Sequence, residues 1–487
     1  MRVIPLFGAG TKSKSAVVTS QRRLNVYFEN RPDGDKSKVA IYGTPGLVAS
    51  FKVSNLPAPM RGMAGDAKYL YVCFYNQLYV IVASNGVVMA SNPTQVPVNT
   101  TSGNVSIQPS PTQVLFVDGA AAYLYSLTAA PGTGFSQVAS FPATGARTVT
   151  FCSGFFVAEQ PSTQTFWVSN AYDGSTWNAL AFAEASSGEG TIQAVDQLNG
   201  VLILFMSNAM EFWQDVGTTP EPFAPIQSAY NDWGLAAIFS RAHINQGIAF
   251  LGLTTNGTAQ LCFLNGFSVQ VISDADTEAI WQGFSTVADA VALTYQVDHH
   301  PMYQISFPSA NRSWIFDLST GISSEVQTGP SVNPSRHWGN FSALAGGFNY
   351  ISDYATNQIY QMNPNVYTDN GQVIIREIIT RHVLSAFNRV RISLLYLDME
   401  TGVGLQTGQG SNPQIMLQVS RDNGRRWSAE RWVGLGAVGK YLWRVAWRRF
   451  GIARDYVFRI RMSDPVKFVI TEGAIKLSER QPAAKLG

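Results

Sequence analysis

The stretch Tyr69-Leu-Tyr-Val-Cys-Phe74, Asn76-Gln77, Leu78-Tyr79-Val80 reads as one β-hairpin: an apolar run, a short polar turn, then a second run carrying an aromatic. The same unit recurs down the chain. Val114-Leu-Phe-Val117 precedes Tyr123-Leu-Tyr125, Phe155-Phe-Val-Ala158 precedes Phe166-Trp167-Val168, and Val201-Leu-Ile-Leu-Phe205 precedes Phe212-Trp213. Ile248-Ala-Phe-Leu251 precedes Leu261-Cys-Phe263, Tyr303-Gln-Ile-Ser-Phe307 precedes Trp314-Ile-Phe316, and Tyr350-Ile351 precedes Ile359-Tyr360. With Tyr71, Phe116, Phe156, Ile203, Phe250, Ile305 and Ile351 as landmarks, the spacings are 45, 40, 47, 47, 55 and 46 residues. Asn76-Gln77, Asp118-Gly119, Asn208-Ala209, Asn256-Gly257 and Asn311-Arg312 punctuate the turns.

A period of ~40–50 residues built from short strands is the signature of a β-propeller. One blade cannot bury both faces of its sheet, so blades pack around an axis. The spacing predicts six or seven blades, with terminal strands completing a shared one. An irregular pair of sandwiches is the competing reading. Residues 275–293 interrupt the pattern: Ile280, Phe284, Val287 and Val291 fall at helical spacing, which accounts for the 55-residue gap.

After Asp369-Asn370-Gly371 the character changes. Strands are expected at 389–399, 414–420, 441–447, 455–462 and 466–472. Val457-Phe-Arg459-Ile-Arg461-Met462 is apolar on one face and basic on the other. These strands fit a small antiparallel sandwich. Arg22-Arg-Leu-Asn-Val-Tyr-Phe-Glu29 reads as a strand that joins it. The expected organisation is therefore all-β: an N-terminal strand segment over 1–45, a propeller over 46–370, and a sandwich platform over 371–487 shared by both termini.

Charge divides along the same lines. Residues 46–370 carry seven Lys or Arg against twenty Asp or Glu, a net of −13. Residues 371–487 carry nineteen against nine, a net of +10, and residues 1–45 carry eight against three, a net of +5. The overall +2 hides this separation, which points to two surfaces with different partners. Only 14% of the 487 residues are charged, while Gly (42) and Pro (23) are plentiful, as in a turn-rich β protein. Cys73, Cys152 and Cys262 lie far apart in apolar runs and read as buried free thiols. No apolar run approaches the ~20 residues of a membrane helix, so no membrane insertion is expected.

Residues in catalytic or metal-binding patterns are few. His299-His300 is the one histidine pair, and neighbours on a strand point to opposite faces. Nucleotide, metal and serine-nucleophile motifs are missing from the sequence, so no catalytic residue, cofactor or metal is expected. Ser420-Arg-Asp422-Asn-Gly424-Arg-Arg-Trp427 resembles the Asp box of sialidases and other propellers. That motif is a structural turn: Asp bonds the backbone, Gly takes positive φ, and Trp packs on the sheet. A sialidase would need three arginines around a carboxylate and a Tyr nucleophile backed by Glu. The repeats offer only Arg61, Arg147, Arg241, Arg312 and Arg336, none in a recognisable setting. A glycan-binding or glycan-hydrolysing propeller stands as the alternative reading.

The basic C-terminal run interleaves Arg425, Arg426, Arg431, Arg444, Arg448 and Arg449 with Trp427, Trp432, Tyr441, Trp443 and Trp447. Arg and aromatics together mark protein interfaces. They also mark single-strand nucleic-acid surfaces, and a solvated sheet face is the third option. We take Arg425, Arg426, Arg431, Trp432, Arg444, Trp447, Arg448 and Arg449 as the candidate subunit or partner interface.

Several stretches together resemble a known family, the packaged-DNA stabilisation proteins that form the tail hub or nozzle of short-tailed bacteriophages. Leu24-Asn-Val-Tyr-Phe-Glu29 followed by Ile41-Tyr-Gly-Thr-Pro-Gly-Leu47 is similar to its N-terminal pattern, and Met60-Arg-Gly-Met63 to the entry into its first hairpin. Phe284 to Tyr295, His300-Pro-Met-Tyr-Gln-Ile-Ser-Phe307-Pro308 and Trp314-Ile-Phe-Asp317 are similar to its longest motif. His299 stands where that motif has Gly, Phe316 where it has Tyr, and Ile322-Ser-Ser-Glu325 where it has Trp-His-Glu, which marks a distant member.

The resemblance implies a non-catalytic virion protein of the tail, made in the host cytoplasm. It implies a homo-oligomer, a hexameric ring below the portal and adaptor proteins. Such a ring extends the DNA-exit channel, retains the packaged genome and carries a tail needle or plug and fibres or spikes. Genomic dsDNA would pass through the lumen without specific binding. The charge division suits that role, since acidic walls repel phosphates and the basic block would dock acidic neighbours.

Overall fold

The computed structural model describes residues 2–479 except 4–5, 9, 33–34, 36, 54–57, 94–95, 187, 255, 331–332, 334 and 385–387. Seven sheets follow one another around an axis. The first blade is Met60–Gly65, Tyr69–Phe74, Gln77–Val82 and Val88–Ser91. Its second strand shows why the blades must pack together. Leu70, Val72 and Phe74 lie against Ala343, Tyr350 and Ile359 of the last blade. Tyr71 and Cys73, on the other face, lie against Val114 and Phe116 of the second. Both faces are buried, so the run is continuously apolar rather than alternating. Each such side chain contributes roughly 1.5–3 kcal/mol of burial.

Blades two to four span Ser106–Gln137, Val149–Glu184 and Ile192–Asn231. The fifth is built from strands between Gly234 and Val271, and the sixth runs from Val291 to Val326. The seventh takes Gly339–Ala345, Phe348–Asp353 and Gln358–Asn363, and borrows its fourth strand from Gly46–Lys52. A strand that precedes the first blade in sequence thus closes the ring. The count is seven.

The interruption at 275–293 is helical only over Ala275–Trp281. Asp274 caps it, accepting from the Thr277 amide at 2.9 Å. The chain then turns at Gly283 and Phe284, whose amide donates to the Trp281 carbonyl at 3.0 Å. Phe284 and Val287 still pack on the Trp281, Phe307 and Trp314 cluster, so their spacing reported burial rather than helix. Val291 already belongs to the inner strand of the sixth blade.

The C-terminal region is a sandwich of two sheets around one core that includes Val26, Phe28, Ile392, Leu395, Trp447, Phe458 and Ile460. One sheet runs Val26–Asn30, Val39–Gly43, Val469–Glu479, Val390–Met399, Val445–Ala453. The other runs Arg22–Leu24, Arg376–Ile379, Asp455–Met462, Gln414–Ser420, Arg431–Gly434. Several strands differ from expectation: the one placed at 466–472 runs Val469–Glu479, and Val39–Gly43 and Arg376–Ile379 are additional. The strand placed at 441–447 begins at Val445, leaving Tyr441 to Trp443 in an exposed loop, and Arg431–Gly434 is an additional edge strand.

The second sheet does not stop at Arg22–Leu24. That strand pairs in parallel with Ile322–Val326, the outer strand of the sixth blade, so blade and sandwich share one ten-stranded sheet. The chain crosses from this sheet to the other at Asn25, in the left-handed region at φ 52°.

Candidate assembly surface

The joint between blade and sandwich is held by charge on the N-terminal strand. Arg22 donates to Glu325 of the sixth blade at 2.7 Å and to Glu377 of the sandwich at 3.1 Å. Arg312 reaches Glu325 at 3.0 Å, and Arg461 Nε reaches Glu377 at 2.9 Å. Burial would push the Glu325 carboxyl upward, but Arg22 and Arg312 more than offset it and hold it below the usual range. Arg23 is buried on the opposite side of the strand. It donates to Ser323 O at 2.7 Å and to Gly10 O at 2.6 Å, strapping the N-terminal segment onto the blade. Burial brings its guanidinium down to about 10. A cleft of about 420 Å³ opens beside this joint, with Lys12, Lys14, Arg22, Arg312, Trp427 and Arg459 on its walls.

The Asp-box-like turn forms one wall. Ser420 Oγ donates to Asp422 Oδ1 at 2.7 Å and accepts from the Gly424 amide at 2.9 Å, while Asp422 Oδ1 accepts from the Arg426 amide at 2.9 Å. The Arg426 amide and Ser420 hydroxyl hold the Asp422 carboxyl below its ordinary value. Asn423 and Gly424 take φ of 64° and 82°. A Cβ on Gly424 would sit 2.8 Å from Ser20 Cβ, so the turn lies against the strap. The Trp427 ring carries the Arg459 guanidinium at 4.1 Å. Ser420, Asp422, Gly424 and Trp427 are used for shape, while the Arg425 and Arg426 side chains are exposed.

Beyond the turn lies the far edge of the sandwich, made by Arg431–Gly434 and Val445–Ala453, one from each sheet. In the shared sheet Arg431–Gly434 is four strands beyond Arg22–Leu24, roughly 19 Å at about 4.8 Å per strand. Arg425, Arg426, Arg444, Arg448 and Arg449 are exposed here. Arg431 is half-buried, with its guanidinium over the Phe450 ring at 4.9 Å and a donated bond to Arg448 O. Trp432 is 51% exposed. Trp447 differs from its expected place at the interface: it is buried in the core, and its indole N–H donates to Arg431 O at 2.9 Å. It supports the edge from beneath instead of facing a partner. The connecting loop carries Tyr441, Leu442 and Trp443, of which Leu442 is 98% exposed.

The five propeller arginines do not converge. Arg61 is buried and bonds Gly103 O, Tyr75 O and Thr100 O in and beside the first blade. Arg147 pairs with Glu159, Arg241 with Asp196, Arg312 with Glu325, and Arg336 bonds Asn340. No three face one pocket, so the sialidase geometry is not met. Among the described residues no group of three His, Cys, Asp or Glu is placed to hold a metal. His300 instead bonds Asp317 at 2.7 Å. The three cysteines are buried and free, and burial pushes Cys73 up to about 12 and Cys152 up to about 11. No helix among the described residues is long and apolar enough to cross a membrane.

The propeller's negative charge needs one correction. Seven of its twenty carboxylates are buried: Asp118, Glu159, Glu211, Glu278, Asp317, Asp353 and Asp369. Several serve turns, as Asp118 does by accepting from the Ala120 and Ala121 amides. The count of acids therefore overstates the acidity of the surface.

Asn25, Glu325 and Glu377 complete the joint, and nothing in the sequence marks their part in it. The doubled Arg22-Arg23 on an otherwise apolar strand was the available signal, because such side chains need acceptors when buried.

No curated protein matches the chain. Solved structures with a similar course include the WD40 propeller domain of Doa1 (11% identity, TM-score 0.40, 65% of this chain and 97% of that one). The Neurospora crassa Pan2 WD40 domain is similar at 12% identity and TM-score 0.40 over 66% of this chain and 94% of that one. Two family profiles match in succession, described as Bacteriophage P22 Gp10, beta-propeller, over residues 2–367, and Bacteriophage P22 Gp10, beta-sandwich, over residues 375–478. The chain belongs to this family of structural bacteriophage tail hub proteins, is a component of the virion tail and is not an enzyme.

Proposed function

We propose that the chain is one copy of a hexameric ring, the hub or nozzle that sits below the portal and adaptor proteins and extends the DNA-exit channel. In this reading the ring retains the packaged genome and carries the needle or plug and the fibres or spikes. The observation that carries it is the joint: one sheet runs unbroken from the sixth blade through Arg22–Leu24 to the far edge of the sandwich. A subunit without a hinge there is suited to a channel wall under load. DNA passes without specific binding, because each neutralised phosphate would add affinity and drag, and the described propeller surface offers few cations. Size-exclusion chromatography with light scattering tests the reading. The expected result is a multi-copy species that co-elutes with a portal–adaptor complex; a monomer that ignores that complex contradicts it.

A further inference from the structure

The subunit has two poles. The sandwich extends from the sixth blade, while blades three and four lie three and two positions away around a ring of seven, toward the far side. The poles differ in charge. Residues 149–233, the third and fourth blades and the turn that leaves them, contain nine Asp or Glu and no Lys or Arg, and the flanking Arg147 and Arg241 pair with Glu159 and Asp196 among them. Of these Glu184, Glu189, Asp215 and Asp232 are exposed. The far edge of the sandwich exposes Arg425, Arg426, Arg444, Arg448 and Arg449, against Glu430 as the exposed carboxylate.

Both poles also carry apolar side chains in the open. On the sandwich these are Trp432, Tyr441, Leu442 and Trp443. On the propeller they are Leu180 at 70%, Phe182 at 41%, Val216 at 45% and Tyr230 at 42% exposure. Phe182 packs on Trp167, on the face turned toward the second blade, while Tyr230 lies near Gly188, next to Glu189. Exposed apolar groups rimmed by one sign of charge mark an interface, and here, Glu430 apart, the two rims are opposite in sign.

We propose that copies join head to tail, the far edge of one sandwich docking on the outer faces of the third and fourth blades of the next copy. The two patches differ, so the contact is heterologous and closes into a ring when its rotation permits. This rests on the ring reading above and names the surfaces that make it.

Charge reversal in the full-length chain tests the pairing. R444E/R448E and E184K/E189K each place like charges across the contact, and each is expected to weaken self-association about tenfold or more while leaving thermal unfolding unchanged. Mixed in equal amounts, the two variants are expected to regain wild-type mass in sedimentation velocity, since every contact in an alternating ring is then complementary. R425E/R426E substitutes for the first variant if that one misfolds. A wild-type assembly unaffected by either reversal, or a mixture that does not recover, overturns the pairing and leaves the ring reading standing; the patches then serve other tail proteins. A wild-type chain that stays monomeric overturns both.

Discussion

Asn25 and Gln327 exchange a reciprocal pair of hydrogen bonds: Asn25 Oδ1 accepts from the Gln327 amide at 2.9 Å, and Asn25 Nδ2 donates to the Gln327 carbonyl at 3.0 Å. The same Nδ2 reaches Ile375 O in the sandwich at 2.9 Å. One amide side chain thus extends the blade's ladder where the chain leaves it. Asn25→Ala strands buried backbone groups on both sides and is expected to cost about 2–4 kcal/mol. Calorimetry should then resolve the sandwich and propeller as separate transitions.

Glu377 sits among Arg22, Arg459 and Arg461 with a side chain 1% exposed. Glu377→Gln keeps its shape and removes the charge those guanidiniums need. The expected loss is about 3–5 kcal/mol in urea unfolding, partly recovered at high salt. Arg459→Met in the same chain should recover a further part, because it removes one of the repelling cations.

Gly424→Ala adds a Cβ at positive φ and drives it into Ser20. The backbone term alone is about 1 kcal/mol. The larger effect is expected on the strap: limited trypsin digestion should cut faster at Lys12 and Lys14. Ser20→Gly in the same chain should slow that cleavage again without restoring full stability.

His337 is buried, and its Nδ1 accepts from the Gly339 amide at 3.0 Å and faces Gln304 Nε2 at 3.1 Å. Burial, aided by Arg336, lowers its pKa from 6.5 to about 4. The folded state therefore prefers the neutral ring. Its contribution is complete above pH 6.5 and is lost as pH falls toward 4, where unfolding takes up a proton. The loss is of order 3 kcal/mol at 1.36 kcal/mol per unit. The urea midpoint of His337→Asn, whose amide oxygen still accepts, should fall less steeply across that window.

The propeller was legible because its blades are buried on both faces. Tyr71 and Val72 pack against different neighbours, so the period showed as repeated apolar runs that need no partner information. The closing strand Gly46–Lys52 was less legible, since Val48, Ala49 and Ser50 are open to solvent and carry no pattern. The segment after Trp281 was misread as helix because Phe284 and Val287 fill one aromatic cluster from a turn, and spacing alone does not separate these cases. The charge division separates propeller from sandwich, but it does not distinguish Asp118, which serves a turn, from Glu184, which faces solvent. The joint was hidden for a related reason. Glu325 and Glu377 are 52 residues apart in sequence and meet only through Arg22.

In the proposed reading this chain works as a wall around a DNA channel. Electron microscopy of the assembled protein tests it most directly. The account predicts a closed ring of copies whose sandwich edges are covered by neighbouring propellers and whose lumen is poor in arginine. A monomer, or a ring whose channel is lined by Arg425, Arg426, Arg448 and Arg449, would contradict it.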